Sequence, residues 1–556
     1  MLHIRLDDPE ATTYEDCLPL LKEYLGGVGL GAYFMNRDIK PEIDPFNSDN
    51  HLYILVGPAN GLIPFSGKLS IVSKSPMNFG WGEAHCGGLS ALRLREQGLF
   101  GIDIAGKAED LSILYISNKK ADLIPNSSLL KLDSIETYKE LIQLYPRAGI
   151  LTIGEAGTKL VRFASITSDG RSFAGRSGMG SVMGSKNLKA ILIEKGTPIA
   201  KKLILEDLKA KLRRFNKKST SRYGTAYLYG LKNKLNALPT KNHKWTFFDQ
   251  IYNLDALVEI EELQEPGNPC PLCHIKCKKN SNYKGGGFLF PEYETISSFG
   301  SNCLNSNLES IIEMNDLTNR LGMDTIEMGN ILSLLMELNE KGLYDSGLEW
   351  GDTIKMRKLI ELTGKKQGIG RILAEGVKRA SIELSGTETF ALTVKGLSLP
   401  AQHPRTHRSI AITHSLAPRG ADHLFLLSTY DEGMNQLYAF QKKLGKEISE
   451  LELLALINNL CTLSDCLVTC KSVVINDFGI SLQDGIDIIK AVTGYLMESE
   501  EELSLKLFKI DELRHQFNEA CGISRVGKLP ERVNTNTQLI EDYLKYIKKL
   551  TNGSDI

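Results

Sequence analysis

The spacing of apolar positions along the chain changes near residue 200. Before that point, apolar residues occur in short runs between glycines and prolines, a pattern typical of β-strands. Strands are predicted at residues 51–57, 69–73, 100–105, 111–116, 149–153, 160–166 and 188–193. One amphipathic helix is predicted among them, at residues 89–97, and Gly98 would end it.

Beyond Lys201 the apolar residues recur with the period of 3.6 that is typical of helices. Helices are predicted at residues 203–217, 307–343 (two helices separated near Gly322), 355–363, 372–384, 436–444, 449–460, 481–497, 501–521 and 537–551. The glycine-rich residues 280–290 are predicted to be a loop. The predicted fold class is therefore α+β, with a β-rich N-terminal domain (1–200) followed by two mainly α-helical domains (201–397 and 398–556).

Composition narrows the range of partners. The 556 residues carry a formal net charge of −1, which argues for neither nucleic acid nor a membrane surface as partner. No apolar run is long enough for a transmembrane helix, and the first residues lack the apolar region of a secretory signal. The ten cysteines are clustered rather than spread like a disulfide framework. We expect a cytoplasmic protein whose thiols bind a metal.

Three cysteines, Cys270, Cys273 and Cys277, form a C-x2-C-x3-C motif. A turn of this size can bring three thiolates to one soft metal centre, and a fourth ligand must come from elsewhere in the chain. An iron–sulfur cluster is the preferred interpretation. A structural zinc site and a chance grouping of cysteines remain as alternatives.

Glycines and basic residues are mixed between positions 173 and 189, where Arg176, Lys186 and Lys189 add positive charge. Glycines free backbone N–H groups to face an anion, so this composition favours phosphate binding, with tight turns as the alternative. The stretch is not a Walker loop, and residues 26–31 do not fit the dinucleotide fingerprint. Similar loops at 57–68 and 74–88 together suggest one large polyanionic cofactor.

Motifs spread over nearly the whole chain resemble one family. They lie at residues 26–31, 74–76, 87–88, 174–191, 291–294, 322–325, 394–397 and 419–423, together with the three cysteines. Residues 183–191, MGSKNLKAI, are close to a signature of that family. The chain resembles the tungsten-containing aldehyde:ferredoxin oxidoreductases.

The resemblance implies a β-rich base domain that binds a tungsten or molybdenum bis-pyranopterin, and one 4Fe–4S cluster beside it. The family's D-x-x-G-L/V-C motif matches residues 465–470, which makes Cys470 the fourth cluster ligand and Asp465 a pterin contact. Here Val468 replaces the glycine and Thr469 the aliphatic residue, while Cys466 adds a nearby thiol. The choice of Cys470 over Cys466 or Cys461 therefore rests on the match of Asp465 and Cys470.

The resemblance also implies further cofactor contacts. Lys68 takes the place of a basic residue, usually arginine, between the cluster and the pterin. The backbone carbonyls of His85 and Ser177 would bind a Mg²⁺ ion that bridges the pterin phosphates. Asn319 could hydrogen-bond a pterin amine. The remaining cofactor-binding residues implied by the family motifs are Gly87, Gly88, Ala174, Gly175, Arg176, Gly178, Met323, Asp324 and Thr469.

Two residues are implied for proton transfer. Glu294 would act as base for the attacking water as an aldehyde becomes a carboxylic acid, and His423 would hydrogen-bond the carbonyl oxygen. Electrons would pass to ferredoxin or a ferredoxin-like subunit, and a homodimer is possible. The alternatives are a low-potential reduction like that of class II benzoyl-CoA reductase, and a diverged non-catalytic member that binds a pterin or a partner protein.

Two groups have no place in this scheme. His403, His407 and His414 are predicted to lie on a solvated or partly buried basic loop, and the alternative is a substrate entrance that favours acidic substrates. Cys303 is predicted to be a small core residue.

Overall fold

The computed structural model of the chain describes residues 1–200, 203–250, 258–406, 408–426, 445, 447–475, 479–534 and 538–551. The predicted helix at 436–444 and His407 lie outside this part. Within it, no helix is long and apolar enough to cross a membrane.

Two six-stranded sheets form the first 200 residues. The first sheet has the spatial order Thr13–Tyr14, Leu2–Arg5, Gly101–Ala105, Leu52–Leu55, Lys68–Lys74 and Trp81–Gly87. The second has the order Ser172–Ala174, Ile166–Ser168, Gly149–Thr152, Leu188–Ile193, Ser112–Ser117 and Lys120–Pro125. One pair of neighbours in each sheet is parallel, Leu2–Arg5 with Gly101–Ala105 and Leu188–Ile193 with Ser112–Ser117, and the others are antiparallel.

The two sheets share a hydrophobic core. Ile54 and Ile71 of the first sheet and Ile116, Leu151 and Ile191 of the second lie in the same buried cluster. The helices of this region are Leu21–Tyr24, Gly27–Asp38, Leu89–Glu96, Ser134–Leu144, Glu155–Thr158 and Met179–Ser185. Burying both sheets against each other and against these helices gives a rigid base for the rest of the chain.

The rest of the described chain is mainly helical. Its α-helices are Glu206–Arg214, Lys218–Tyr223, Leu228–Lys234, Val258–Leu263, Tyr293–Phe299, Leu308–Leu321, Thr325–Glu340, Thr353–Gly364, Gly370–Leu373, Val377–Ser385, Arg408–Leu416, Glu450–Leu467, Lys471–Ile475, Leu482–Thr493, Glu500–Ala520 and Gln538–Thr551. Its strands are Gln264–Pro266, Lys279–Ser281 and Phe288–Leu289 in one small sheet, and Thr393–Val394 and Leu397–Ser398 in another. Single 3-10 turns lie at Pro9–Ala11, Ser127–Lys131, Arg176–Gly178, Leu203–Leu205, Tyr283–Gly285, Ser301–Cys303 and Glu531–Val533.

The predicted α+β class is confirmed. The predicted pair of helices divided at Gly322 is confirmed too, and Gly322, with a left-handed φ of 77°, ends the first of the two helices. Three predictions are wrong in detail. The helix predicted at 372–384 is interrupted by Gly376 (φ 90°). The predicted strand 160–166 is a turn that becomes a strand only at Ile166–Ser168. Residues 280–290, predicted as a loop, form a β-hairpin.

The glycines of residues 26–31 serve close packing. A Cβ on Gly27 would collide with the carbonyl oxygen of Asp465, and one on Gly57 with the carbonyl oxygens of Cys466 and Leu467. The helix Gly27–Asp38 can therefore lie directly against the end of Glu450–Leu467. This contact fixes residues 465–470 over the base sheets. The predicted domain boundaries at 200 and 397 stay predictions.

Candidate functional site

A cavity lies where the two base sheets meet the helical region. Lys68 and His85 reach it from adjacent strands of the first sheet, and Phe173 reaches it from the edge strand of the second. The other predicted site residues that line it are Gly175, Arg176, Glu294, Asn319, Asp324 and His423. Residues that are far apart in the sequence and were singled out by different motifs thus face one space.

Glu294 and His423 form a pair in the wall of this cavity. Glu294 lies in the first turn of Tyr293–Phe299, and its Oε2 accepts a 2.7 Å hydrogen bond from the backbone N–H of Ala401. Its other oxygen, Oε1, lies 3.6 Å from Nε2 of His423. Because Oε1 is buried and has no hydrogen-bond partner in the described part of the chain, it is available to a ligand.

The backbone that carries His423 is held by buried side chains. Nδ1 of His414 lies 2.9 Å from the carbonyl oxygen of Asp422, and Nε2 lies 3.2 Å from that of Gln402. The Asp422 carboxylate makes a 2.7 Å ion pair with Arg419. Burial lowers the pKa of His414 to about 4, so its imidazole is neutral near pH 7.

The stretch around these histidines was predicted to be a solvated or partly buried basic loop, and residues 401–406 are partly buried, with Arg405 exposed. His403 and His414 are completely buried. Neither lines the cavity, because His414 lies behind the segment that carries His423. The sequence shows a concentration of histidines here, but it does not show that they face inward.

The cavity wall suits a large anionic group. Arg171 and Arg419 line it with buried guanidinium nitrogens that have no hydrogen-bond partner among the described residues. Nε2 of His85 lies 3.8 Å from Asp465 and 3.9 Å from Glu83. Burial alone would lower the pKa of Lys68. The negative charge of Cys470, Cys270 and Asp465 nearby outweighs this effect, so that the pKa of Lys68 is raised. Unpartnered buried donors are costly, so a ligand that accepts hydrogen bonds would stabilise this wall.

Another part of the cavity wall offers different chemistry. Asn319 and Asp324 line the cavity at the two ends of a helix–helix turn. Oδ1 of Asp324 caps the helix Thr325–Glu340, while Oδ2 lies 3.2 Å from Nη1 of Arg176. An amide and a carboxylate at this position can accept hydrogen bonds from ring amines, which complements the cationic wall.

Several predicted cofactor contacts lie behind the cavity wall. These are Gly87, Gly88, Ala174, Ser177, Gly178, Met323, Asp465 and Thr469. The carbonyl oxygen of Ser177, predicted as a Mg²⁺ ligand, accepts a 2.9 Å hydrogen bond from the Ser75 hydroxyl. Asp465 is paired at 2.7 Å with Lys471. The structure therefore brings only part of the predicted set to the cavity.

Lys186 and Lys189 do not contribute to the cavity, so their predicted part in phosphate binding is wrong. Both are fully buried. Nζ of Lys186 donates to the carbonyl oxygens of Ser48 and Gly106, and Nζ of Lys189 donates to that of Leu132. Burial lowers the pKa of each ammonium to about 8. These lysines stabilise the base domain.

The three cysteines of the C-x2-C-x3-C motif meet Cys470 across one residue of the base domain. The Phe65 N–H donates to the carbonyl oxygen of Leu272, and the Phe65 carbonyl accepts from the N–H of Cys470, both at 3.0 Å. A Cβ on Gly67 would collide with the Pro271 carbonyl oxygen, and one on Gly87 with Sγ of Cys270. Two distant segments that carry four thiols thereby lie side by side, and four thiolates are the number of ligands that a cuboidal iron–sulfur cluster takes.

The other cysteines near this point are placed differently. Cys461 and Cys466 are completely buried within the helix Glu450–Leu467, whereas Cys270, Cys273, Cys277 and Cys470 are each partly exposed. Cys303 is buried, as predicted, and its thiol donates to the carbonyl oxygen of Ser298.

Family models match the chain along most of its length. The N-terminal domain of aldehyde ferredoxin oxidoreductase matches residues 1–195, and domains 2 and 3 of the same enzyme match residues 204–548. The chain belongs to the aldehyde ferredoxin oxidoreductase family.

Curated members of the aldehyde ferredoxin oxidoreductase family align over most of the chain. The tungsten-containing aldehyde ferredoxin oxidoreductase of Pyrococcus furiosus is 32% identical over 538 residues, which cover 92% of this chain and 87% of the relative. The protein of that name from Thermococcus kodakarensis is 31% identical over 96% of this chain and 90% of its own. The WOR-like subunit of the aliphatic sulfonate oxidoreductase of P. furiosus is 31% identical over 73% of this chain and 71% of its own.

A solved structure shares the fold of this aldehyde ferredoxin oxidoreductase family member. It is the active-site complex BamBC of benzoyl coenzyme A reductase with 1,5 dienoyl-CoA, with a TM-score of 0.84 and 20% identity. The similarity covers 99% of this chain and 94% of that one.

Val468, which stands where the family motif has glycine, adopts φ 55° and ψ 54° at the end of Glu450–Leu467. Glycine is favoured at such a left-handed helix end because a β-branched side chain is strained there. The Val468 side chain occupies the space beside Gly27, where the helices Gly27–Asp38 and Glu450–Leu467 meet. Val468 therefore adopts a backbone conformation in which glycine is usual.

Pattern reasoning missed Arg171, Arg419 and Lys471. Nζ of Lys471 binds Asp465 and also donates a 2.7 Å hydrogen bond to the carbonyl oxygen of Leu424, next to His423. The one sequence feature that could have pointed to Lys471 as a site residue is its position directly after Cys470. Arg419 opens the family-like motif 419–423, although that motif was used only to assign His423, and no sequence pattern points to Arg171.

Proposed function

We propose that this protein oxidises an aldehyde to a carboxylic acid with a tungsten or molybdenum bis-pyranopterin, and that ferredoxin or a ferredoxin-like subunit receives the electrons. The names of its relatives supply the substrate class, the metal and the acceptor. The observation that carries the proposal is the Glu294–His423 pair, 3.6 Å apart, in a wall that also contains buried, unpartnered cationic nitrogens.

The residues of the cavity divide by chemistry. Arg171, Arg176 and Arg419 would bind the pterin phosphates, since guanidinium groups suit phosphate oxygens, and Lys68, beside Cys270 and Cys470, would lie between the cluster and the pterin. Asn319 and Asp324 would accept hydrogen bonds from pterin amines. Mg²⁺ at the phosphates is retained as part of the proposal, although the Ser177 carbonyl already has a hydrogen-bond donor.

When bound, the metal–pterin group supplies a Lewis acid for the carbonyl and accepts two electrons, which a 4Fe–4S cluster on Cys270, Cys273, Cys277 and Cys470 can relay. Glu294 holds a water through Oε1, while the Ala401 N–H fixes the other oxygen of the carboxylate. His423, held by the contact of His414 with Asp422, donates to the carbonyl oxygen as negative charge develops.

We also infer a reducing compartment and retain dimerisation as a prediction. All ten cysteines lie in the described part of the chain, and each is a free thiol. Free thiols together with a proposed thiolate-bound cluster fit a reducing, oxygen-poor environment.

Elemental analysis of anaerobically purified protein tests the cofactor. We expect about four irons and about one tungsten or molybdenum per chain. An aldehyde should then reduce a viologen dye, with equimolar carboxylic acid as product. Zinc without tungsten or molybdenum would contradict the proposal. A fully loaded protein that no aldehyde reduces would favour a reductive or non-catalytic family member instead.

A further inference from the structure

The cysteine loop presents a small apolar tip to solvent. Leu272 and Lys276 both have positive φ angles, 60° and 55°, and both side chains are exposed, that of Leu272 by 46%. The left-handed backbone at these two positions turns the loop tightly around the thiols. Cys270, Cys273 and Cys277 are themselves partly exposed, so the metal centre they would hold lies close to this surface.

A basic segment lies directly beside the loop. The carbonyl oxygen of Phe215, just after the helix Glu206–Arg214, accepts a 2.6 Å hydrogen bond from Nε2 of His274. On the other side, Nζ of Lys279 donates a 2.6 Å hydrogen bond to the carbonyl oxygen of Ser221 in the helix Lys218–Tyr223. Phe215 thereby ties residues 213–218 to the loop, and the helix that follows them is tied to the strand Lys279–Ser281 after the loop.

This segment has the sequence RRFNKK, with four cations in six residues. Arg213, Arg214 and Lys218 are exposed and make no ion pair with any described residue. Two carboxylates that pair with cations next to this segment are already engaged, Asp484 with Lys211 and Glu261 with Arg222. With Lys276 on the loop itself, the apolar tip is bordered by uncompensated positive charge.

We propose that Leu272 and the cations Arg213, Arg214, Lys218 and Lys276 form the docking surface for an acidic iron–sulfur electron-carrier protein. This proposal rests on the proposed function. A small apolar centre with a charged rim suits a transient redox contact, which needs little buried area. Complementary charge accelerates such encounters. The surface is short and the chain carries a net charge of −1, so a nucleic acid is a poor alternative occupant.

The test uses the holoenzyme and a recombinant acidic ferredoxin with two 4Fe–4S clusters as the probe. The variant R213E/R214E/K218E reverses charge beside the loop without touching a cysteine or the cavity. We expect kcat/KM for ferredoxin to fall at least about tenfold at low salt, because steering is lost. Activity with benzyl viologen, a small dication, should change by less than about twofold, since it needs no protein docking surface.

A matched control reverses three exposed cations at the far edge of the second sheet, K119E/K120E/K131E. That edge lies five strand spacings, or about 24 Å, from the strand Ser172–Ala174 beside the cavity. We expect ferredoxin turnover to remain near that of the wild type. Equal losses in the two variants would show a nonspecific effect of net charge and overturn the proposal.

Direct binding separates this proposal from the proposed activity. Binding of oxidised ferredoxin can be measured by surface plasmon resonance. We expect the affinity of R213E/R214E/K218E to be at least about tenfold below that of the wild type. We also expect the affinity of the wild type to fall at least about tenfold when NaCl is raised from about 0.05 M to about 0.3 M. Unchanged binding in the variant would overturn the docking surface even if aldehydes reduce viologen. Salt-sensitive binding that the variant loses would support it even in a protein without aldehyde activity.

Discussion

The cysteine loop and the Glu294–His423 pair are held in place by different kinds of contact. Backbone groups hold the loop, because Phe65 bonds both cysteine segments and Gly67 leaves room for the Pro271 carbonyl. Buried ionisable side chains hold the segment of the pair, through His414 and the Arg419–Asp422 ion pair. Backbone contacts do not titrate, whereas these side chains do.

The difference agrees with what each region is proposed to do. Thiolate ligands need a fixed geometry, which close backbone packing supplies without any proton. A proton-transfer pair needs partners that leave one atom free, as Oε1 of Glu294 is left free while Oε2 is bonded to Ala401. We therefore expect a larger side chain at a packed glycine to disturb the cysteine loop, and protonation of a buried side chain to disturb the Glu294–His423 pair.

The largest expected effect is that of removing a ligand from the loop. In Cys470→Ala we expect fewer than about three of about four irons to remain, together with loss of dye-linked activity, because a cuboidal cluster needs its fourth thiolate. Iron analysis and EPR spectroscopy measure this. Cys466→Ala is the control, since that thiol is buried in the helix Glu450–Leu467 and should leave the iron content unchanged. The opposite pattern would assign the ligand to Cys466.

The next effect separates chemistry from cofactor binding. Glu294→Gln keeps an acceptor for the Ala401 N–H but removes the base, so kcat should fall by about 10²–10⁴-fold with metal and iron content unchanged. Steady-state aldehyde oxidation with viologen measures it. Glu292→Gln alters a carboxylate in the same cavity and should have little effect on kcat. Equal losses in the two variants would mean that cavity charge, rather than a specific base, matters.

The long helices could be predicted from the sequence because their apolar stripes are strong. Leu308–Leu321 and Thr325–Glu340 follow the expected period, and Gly322 marks the break. Trp81–Gly87 and Gly27–Asp38 were missed because glycines weaken both strand and helix preferences. Those glycines are required by contacts with distant residues, as Gly27 shows against Asp465. Local pattern cannot reveal such a contact.

The candidate site likewise contains residues that a sequence pattern can reveal and residues that it cannot. The spacing of Cys270, Cys273 and Cys277 carries its own chemistry, whereas an isolated cation such as Arg171 has no pattern and gains meaning only from its burial without a partner. Lys186 was predicted wrongly for a related reason, since a sequence shows that a side chain is charged but not where it points. Its ammonium group points to backbone carbonyl oxygens within the base domain.

A smaller effect tests the role of volume at the loop. Gly67→Ala should destabilise the contact between the loop and the base domain by about 1–3 kcal/mol, because its Cβ meets the Pro271 carbonyl oxygen. We expect a lower Tm and lower iron occupancy, with little change in the pH dependence of stability. Gly230→Ala is the control, because nothing lies within 4 Å of its Cβ in the helix Leu228–Lys234, and it should be neutral or slightly stabilising.

The smallest expected effect is a pH dependence of folding stability that arises from His414, which holds the segment that carries His423. The pKa of His414 is lowered by burial from 6.5 to about 4, so between these pH values the unfolded chain binds a proton that the folded chain does not. Stability must then rise with pH through this window, and at pH 5 the neutral imidazole costs about 2 kcal/mol relative to pH 7. His414→Gln should lose less Tm between pH 7 and pH 5 than the wild type does. Burial also lowers the pKa values of His243 and His515, so part of the acid sensitivity should remain in the variant. An unchanged pH profile of Tm would mean that His414 does not couple protonation to the segment that carries His423.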